Sequence, residues 1–137
     1  MVCKVRRDGG LVYAFDREER DKHKKAQGIL TECWSNRSGT LSTQVLQEFY
    51  VTVTRKLAKT LPRQEAREII KELSAWQIYQ PTPADTIAAS ELEEKHSLSF
   101  WDALIVVAAQ NSGATTLISE DMQDGRQIGA LKITNPF

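Results

Sequence analysis

The feature that most constrains the fold is an apolar segment near the carboxyl end of the chain, residues 103–119. Residues 103–109 read ALIVVAA and are apolar on every side of a helix, which indicates that the helix is buried on most faces. Gly113 is a natural stop for this helix. Residues 114–119 then form a strand without polar alternation, as buried parallel strands do. The segment therefore predicts an α/β fold.

Short strands alternate with helices along the rest of the chain. Thr43 is the expected cap of a helix that carries Val45, Phe49 and Val53 on one side. Thr82 is the expected cap of another helix, with Asp85 at its third position. Further strands are predicted at residues 40–42, 77–80 and 131–134. The alternation predicts an α/β sandwich around a parallel sheet.

Length and composition limit the classes of protein that this chain can represent. With 137 residues and no linker, residues 1–137 are expected to form a single domain. The 18 basic and 18 acidic side chains cancel, which excludes a polybasic nucleic-acid coat protein. No apolar run is long enough to span a membrane. Because Cys3 and Cys33 are too few for a disulfide framework, a reduced, cytoplasmic protein is expected.

Acidic side chains are expected at the edge of the sheet where ligands bind. Glu120 and Asp121 follow the buried strand directly, Asp124 lies three residues on, and Asp102 begins the buried helix. Ligands of open α/β sheets bind beyond the carboxyl ends of the strands. Oxygen-only ligands suit Mg²⁺ or Mn²⁺, and such a cation would relieve the repulsion between the carboxylates. Phosphodiester hydrolysis fits these parts.

Each of these residues also has a purely structural interpretation. Asp102 could cap its helix in a Ser-x-x-Asp box that begins at Ser99. Asp121 and Asp124 could be ordinary turn residues near a glycine. A helical wheel places Glu48 off the apolar stripe of its helix, which predicts solvated surface.

Aromatic and basic side chains outside the acidic set leave similar choices. Because Trp76, Phe100 and Trp101 adjoin apolar patterns, they are expected in the core rather than as stacking platforms for bases. The basic residues around His23 could contact phosphates or form a solvated helix face; they are Lys22, Lys24 and Lys25.

Five segments in order resemble PIN-domain ribonucleases, specifically the toxins of VapBC-type toxin–antitoxin pairs. They are residues 11–16 (LVYAFD), 43–50 (TQVLQEFY), 98–105 (LSFWDALI), 119–125 (SEDMQDG) and 133–137 (ITNPF). Together they cover the chain from about residue 11 to residue 137. The resemblance implies a PIN-like three-layer α/β sandwich with a mainly parallel central sheet, and a metal-dependent endoribonuclease.

The resemblance also assigns roles to individual residues. Glu48, Asp102 and Asp121 match the family's second, third and fourth acidic positions and would be catalytic metal ligands for Mg²⁺ or Mn²⁺. Asp124 matches an additional acidic position and would be a further ligand. The implied partners are an RNA substrate, an antitoxin that covers the acidic groove and a second copy in a homodimer.

Residues 1–10 depart from the family pattern. The family's first aspartate falls on Arg7, and Asp8 stands one residue late. Either Asp8 reaches the metal across the Gly9-Gly10 loop, or the site lacks one ligand. In the second case the chain would be a catalytically impaired PIN-fold protein that acts as an antitoxin-binding module.

Overall fold

The computed structural model describes residues 2–3 and 10–137. Six strands and six helices lie within these ranges. The strands are β1 (Val2–Cys3), β2 (Thr40–Ser42), β3 (Gln77–Tyr79), β4 (Thr116–Ile118), β5 (Gln127–Ile128) and β6 (Leu131–Thr134). The helices are α1 (Gly10–Tyr13), α2 (Arg20–Asn36), α3 (Thr43–Arg55), α4 (Arg63–Leu73), α5 (Pro83–His96) and α6 (Phe100–Asn111).

The strands form one sheet in the order β3-β2-β1-β4-β6-β5. Each neighbouring pair is parallel except β5 and β6, which form an antiparallel hairpin that the sequence patterns did not predict. Gly129, in the turn of that hairpin, has a φ of 60°, a conformation that favours glycine. The predicted α/β class is confirmed by this alternation of helices and parallel strands.

The apolar segment takes the buried position that its composition predicts. Every residue from Asp102 to Ala109 of α6 is buried, and Leu117 and Ile118 of β4 are buried beside it. The core continues into α3 through Val45, Phe49 and Val53, none of which is exposed. No helix in the described part of the chain is both long and apolar enough to cross a membrane.

The start of α3 differs from its prediction by one residue. Ser42, not Thr43, caps the helix, because the Ser42 hydroxyl accepts a hydrogen bond from the Val45 N–H at 3.3 Å. Strand β2 ends at Ser42, which keeps an extended backbone there, so its side chain is placed to accept from the first turn of the helix. The helix thus begins directly at the carboxyl end of β2.

Asp85 joins β3, α5 and α6 through one buried carboxylate. It accepts hydrogen bonds from the Thr82 N–H at 2.9 Å, the Tyr79 hydroxyl at 2.7 Å and the Asn111 side-chain amide at 2.9 Å. The backbone hydrogen bond from Thr82, followed by that from Tyr79, lowers the pKa of Asp85. The predicted Thr82–Asp85 capping box is confirmed. The hydrogen bond from Asn111 holds the start of α5 against the carboxyl end of α6.

Candidate functional site

The carboxyl ends of β1, β2 and β4 lie at one edge of the sheet, because these strands are parallel neighbours. Helix α3 leaves this edge from β2, and the loop at residues 119–126 leaves it from β4. Helix α6 precedes β4 and returns to it through a turn at Gly113, so its first residues lie toward the same edge. The edge therefore receives the elements that carry Glu48, Asp102, Asp121 and Asp124.

Asp102 lies in the first turn of α6 and is buried, with 7% of its surface exposed. The Ser99 hydroxyl caps the helix by accepting from the Asp102 N–H at 3.1 Å. This contact uses the side chain of Ser99 and the main chain of Asp102. The Ser99 half of the predicted capping box is therefore present, and it orients the turn that carries the Asp102 carboxylate.

Glu48 is half-buried in α3, so the interpretation from the helical wheel, solvated surface, is wrong. Its Oε1 accepts a hydrogen bond at 3.0 Å from the side-chain amide of Gln44, one turn earlier. Glu48 lines a pocket of about 330 Å³ together with Gln44, Gln47 and Trp101. The pocket thus brings Glu48 of α3 next to the residue that precedes Asp102 in α6.

The exposure of Trp101 corrects a second expectation. Its side chain is 56% exposed, whereas Trp76 lies in the core as predicted. The ring of Phe100 packs edge-on against Trp101 at a centroid distance of 5.3 Å and an interplanar angle of 76°. Because α6 is apolar nearly all round, the sequence does not show which side of its first turn is left uncovered.

Three side chains form a polar cluster where β4 ends: Tyr13, Lys22 and Glu120. The Lys22 ammonium contacts Glu120 Oε1 at 2.7 Å, and the Tyr13 hydroxyl donates to Glu120 Oε2 at 2.7 Å. Lys22 also donates to the Tyr13 hydroxyl oxygen at 3.1 Å. The sequence predicts Glu120 at this edge but not in this cluster, since nothing in the sequence links it to residues about a hundred positions earlier.

The cluster changes the protonation behaviour of two of its members. Burial, followed by the hydrogen bond to Glu120, raises the pKa of Tyr13 to about 12. The hydrogen bond to Glu120 raises the pKa of Lys22, so the ammonium stays charged at neutral pH. Lys22 therefore neutralises the carboxylate that adjoins Asp121 and is not a free member of the basic set around His23.

Asp121 and Asp124 lie in the loop after β4, and both are exposed. Asp124 accepts a hydrogen bond from the Asn135 N–H at 2.8 Å, which ties the loop to the end of β6. Gly125 follows with a φ of 78°, and its N–H donates to the Ile133 carbonyl. Asp124 thus has the turn role that its position beside a glycine predicts, whereas its role as a ligand stays a prediction.

Asp8 and Arg7 lie outside the described residues. Among the residues that the structure describes, no three His, Cys, Asp or Glu side chains gather into a metal-binding group. The donors present at the edge, Glu48, Asp102, Asp121 and Asp124, are all carboxylates, which are hard oxygen ligands. They fit Mg²⁺ or Mn²⁺ by their chemistry rather than zinc or copper.

The comparisons with known proteins agree with this description. The PIN domain model matches residues 10–124 of the chain. The solved structure of Mycobacterium tuberculosis VapC20, a Sarcin-Ricin loop cleaving toxin, is similar with a TM-score of 0.60 and 17% sequence identity. The similarity covers 85% of this chain and 87% of that one, and at this identity it shows a shared fold. No curated protein shows a significant match.

Proposed function

Because the chain belongs to the PIN-domain family, we propose that it is a metal-dependent endoribonuclease and the toxin of a VapBC-type toxin–antitoxin pair. It hydrolyses RNA phosphodiester bonds with the help of Mg²⁺ or Mn²⁺. Its partners are an RNA substrate and an antitoxin protein, it forms a homodimer, and it acts in the cytoplasm. Residues 1–137 form one domain, a three-layer sandwich whose helices flank a mainly parallel sheet.

One observation carries this proposal: Glu48 lines a pocket with the first turn of α6, at the carboxyl edge of a parallel sheet. Glu48 thus lies beside Trp101, the residue that precedes Asp102, at the edge where α/β proteins bind their ligands, and this proximity supports the proposed site. Glu48 is half-buried on the side of α3 that lies off its apolar stripe, next to the exposed Trp101.

Glu48, Asp102 and Asp121 are the proposed catalytic ligands of the cation, with Asp124 and Asp8 as further members. A bound cation supplies Lewis-acid stabilisation of the phosphate and lowers the pKa of a bound water. The chain itself supplies orientation. Gln44 holds one oxygen of Glu48, and the Ser99 cap fixes the turn of Asp102.

The Lys22–Glu120 ion pair has an electrostatic role at this site. A carboxylate whose charge is neutralised by an ammonium attracts a metal cation only weakly. Lys22 cancels the charge of Glu120, the residue next to Asp121. The negative charge that attracts the cation then comes from the proposed ligands and not from Glu120.

Cleavage of RNA by the purified chain tests the proposal. We expect cleavage with Mg²⁺ or Mn²⁺, none with EDTA, and a loss of at least about a hundredfold in Asp102→Asn and Glu48→Gln, as is typical when a group that stabilises developing charge is removed. Glu72→Gln is the matched control, because Glu72 is an exposed carboxylate near the carboxyl end of α4, which leads into the amino end of β3, at the opposite edge of the sheet. Equal cleavage by the parent chain and Asp102→Asn would refute the site, and a preference for DNA would change the substrate.

The alternative function is that of an antitoxin-binding module without nuclease activity. The observation that favours it is Arg7, which stands where the family has its first aspartate. A cation at that position would cancel charge that the metal needs. Arg7→Asp distinguishes the two functions. A large gain of cleavage identifies a damaged nuclease, whereas antitoxin binding without any gain supports the module.

A further inference from the structure

The pocket beside Glu48 combines one aromatic face with amide side chains. Trp101 forms one wall and leaves more than half of its surface exposed. Gln44 and Gln47 of α3 line the pocket with Glu48. Its volume of about 330 Å³ is large enough for one small planar group.

Trp101 presents its face on a rigid support. Phe100 packs against it edge-on, and both residues lie in the first turn of α6, whose cap is Ser99. An exposed indole held in this way loses little conformational freedom when a ring stacks on it. Every nucleobase has a face that can do so, and stacking of bases on aromatic side chains is the common mode of binding to single-stranded RNA.

Gln44 gives a second and independent indication of a ligand. Because a carboxylate only accepts hydrogen bonds, the contact with Glu48 Oε1 fixes the Gln44 nitrogen on that side. The other amide atom, Oε1, is buried and has no hydrogen-bond partner among the described residues. A buried acceptor without a donor is costly. A small movement of the amide on binding would bring this oxygen to the N–H donors that a nucleobase carries on its pairing edge.

We propose that this pocket binds one unpaired nucleobase of the substrate RNA, with Trp101 stacked on its face and Gln44 Oε1 accepting from its edge. The inference rests on the proposed function and names the part of the substrate that the site reads. Since Glu48 belongs to both the pocket and the proposed metal site, the bound base belongs to a nucleotide next to the phosphate that is cleaved.

Binding of a short fluorescein-labelled single-stranded RNA, measured by anisotropy in Asp102→Asn chains so that cleavage does not interfere, tests the proposal. Loss of one stacking contact predicts a roughly 5- to 150-fold weaker affinity for Trp101→Ala. Trp101→Phe, which keeps an aromatic face, retains most of the affinity. Gln44→Met weakens binding by roughly 2- to 13-fold, the range for one hydrogen bond.

The matched control is Trp34→Ala, because Trp34 is also exposed, at 44%, but packs against Trp76 in another part of the structure. The Trp34→Ala chain should bind the RNA with the same affinity as the parent chain. Stacking should also quench tryptophan emission on RNA binding, and this quenching should disappear in Trp101→Phe and persist in Trp34→Phe. A purely structural role of Trp101 would not produce that difference.

Unchanged affinity in Trp101→Ala, or no RNA binding by any variant, overturns the inference. So does a Trp101→Ala chain that binds RNA normally but no longer binds an antitoxin, since Trp101 would then be a protein contact. The cleavage assay separates the two proposals. If the parent chain and Trp101→Ala cleave RNA equally well, the base pocket is refuted and the nuclease function is not. If RNA binding depends on Trp101 but the parent chain does not cleave RNA, the nuclease function is refuted and the base pocket is not.

Discussion

Replacement of Tyr13 by phenylalanine tests whether the polar cluster at the end of β4 stabilises the fold. The Tyr13 ring is buried and packs against Phe137, so phenylalanine keeps the apolar contacts. The change removes one hydroxyl, which donates to Glu120 and accepts from Lys22. The effect on stability therefore reports on these two hydrogen bonds.

The magnitude follows from the charge of the acceptor. A hydrogen bond to a charged group contributes about 1.5–3 kcal/mol, compared with about 0.5–1.5 kcal/mol for a neutral pair. Because Glu120 and Lys22 are partly exposed, the middle of the first range applies. We expect Tyr13→Phe to lower the free energy of unfolding at pH 7 by about 2 kcal/mol, and by about 1 kcal/mol less in a Glu120→Gln background.

The raised pKa of Tyr13 makes the stability of the folded chain depend on pH. Folding raises this pKa from 10.0 to about 12, so the unfolded chain loses its proton first as the pH rises. The stability that the neutral hydroxyl contributes is complete below pH 10 and is lost between pH 10 and about 12. The difference in free energy of unfolding between the parent chain and Tyr13→Phe should therefore become smaller between pH 10 and about 12.

Urea unfolding of the four chains of this double-mutant cycle is the assay. Tyr50→Phe is the control, because no hydrogen bond to the Tyr50 hydroxyl is found in the described residues; its effect should stay within about 0.5 kcal/mol. A Tyr13→Phe effect as small as this control, or an equal loss with and without Glu120→Gln, would refute the assignment.

Three further substitutions test other contacts. Asp85→Asn should lower the free energy of unfolding by about 2–3 kcal/mol at pH 7. Folding lowers the pKa of Asp85 from its ordinary value of 3.8. The difference in free energy of unfolding between the parent chain and Asp85→Asn should therefore be complete above pH 3.8 and vanish as the pH falls through the folded-state pKa. Urea unfolding at a series of acid pH values measures this difference. Gly39→Ala places a methyl group against the ring of Trp76, closer than an ordinary van der Waals contact. It should cost about 1–3 kcal/mol in thermal unfolding, and less in a Trp76→Leu background. Ser99→Ala removes the cap of α6, which should cost about 1 kcal/mol and lower the rate of RNA cleavage.

The elements that sequence patterns predicted well are those whose information is local. The all-apolar run of α6, the non-alternating strand β4 and the Thr82–Asp85 box depend on residues within a few positions of one another. Local periodicity and capping chemistry decide such elements, so the structure agrees with them closely.

The patterns failed where a neighbouring element decides the outcome. Glu48 is off the apolar stripe of α3, yet it is half-buried and lines a pocket with Trp101 of α6. The Tyr13–Glu120 hydrogen bond joins residues 107 positions apart. Periodicity reports which face of a helix is apolar, and it does not report which polar side chain a distant element will cover.

The balance of charge determines how this chain can hold RNA. Its net charge is zero, and Lys22, at the end of β4, is paired with Glu120. We expect stacking on Trp101, rather than contacts with phosphates, to supply much of the affinity. For single-stranded nucleic acids, each phosphate contact steepens the fall of log affinity with log salt concentration by about 0.7. With few phosphate contacts, we expect a shallow slope of about one or two. A steep slope in the anisotropy assay, together with an unchanged Trp101→Ala affinity, would show that phosphates and not bases hold the RNA.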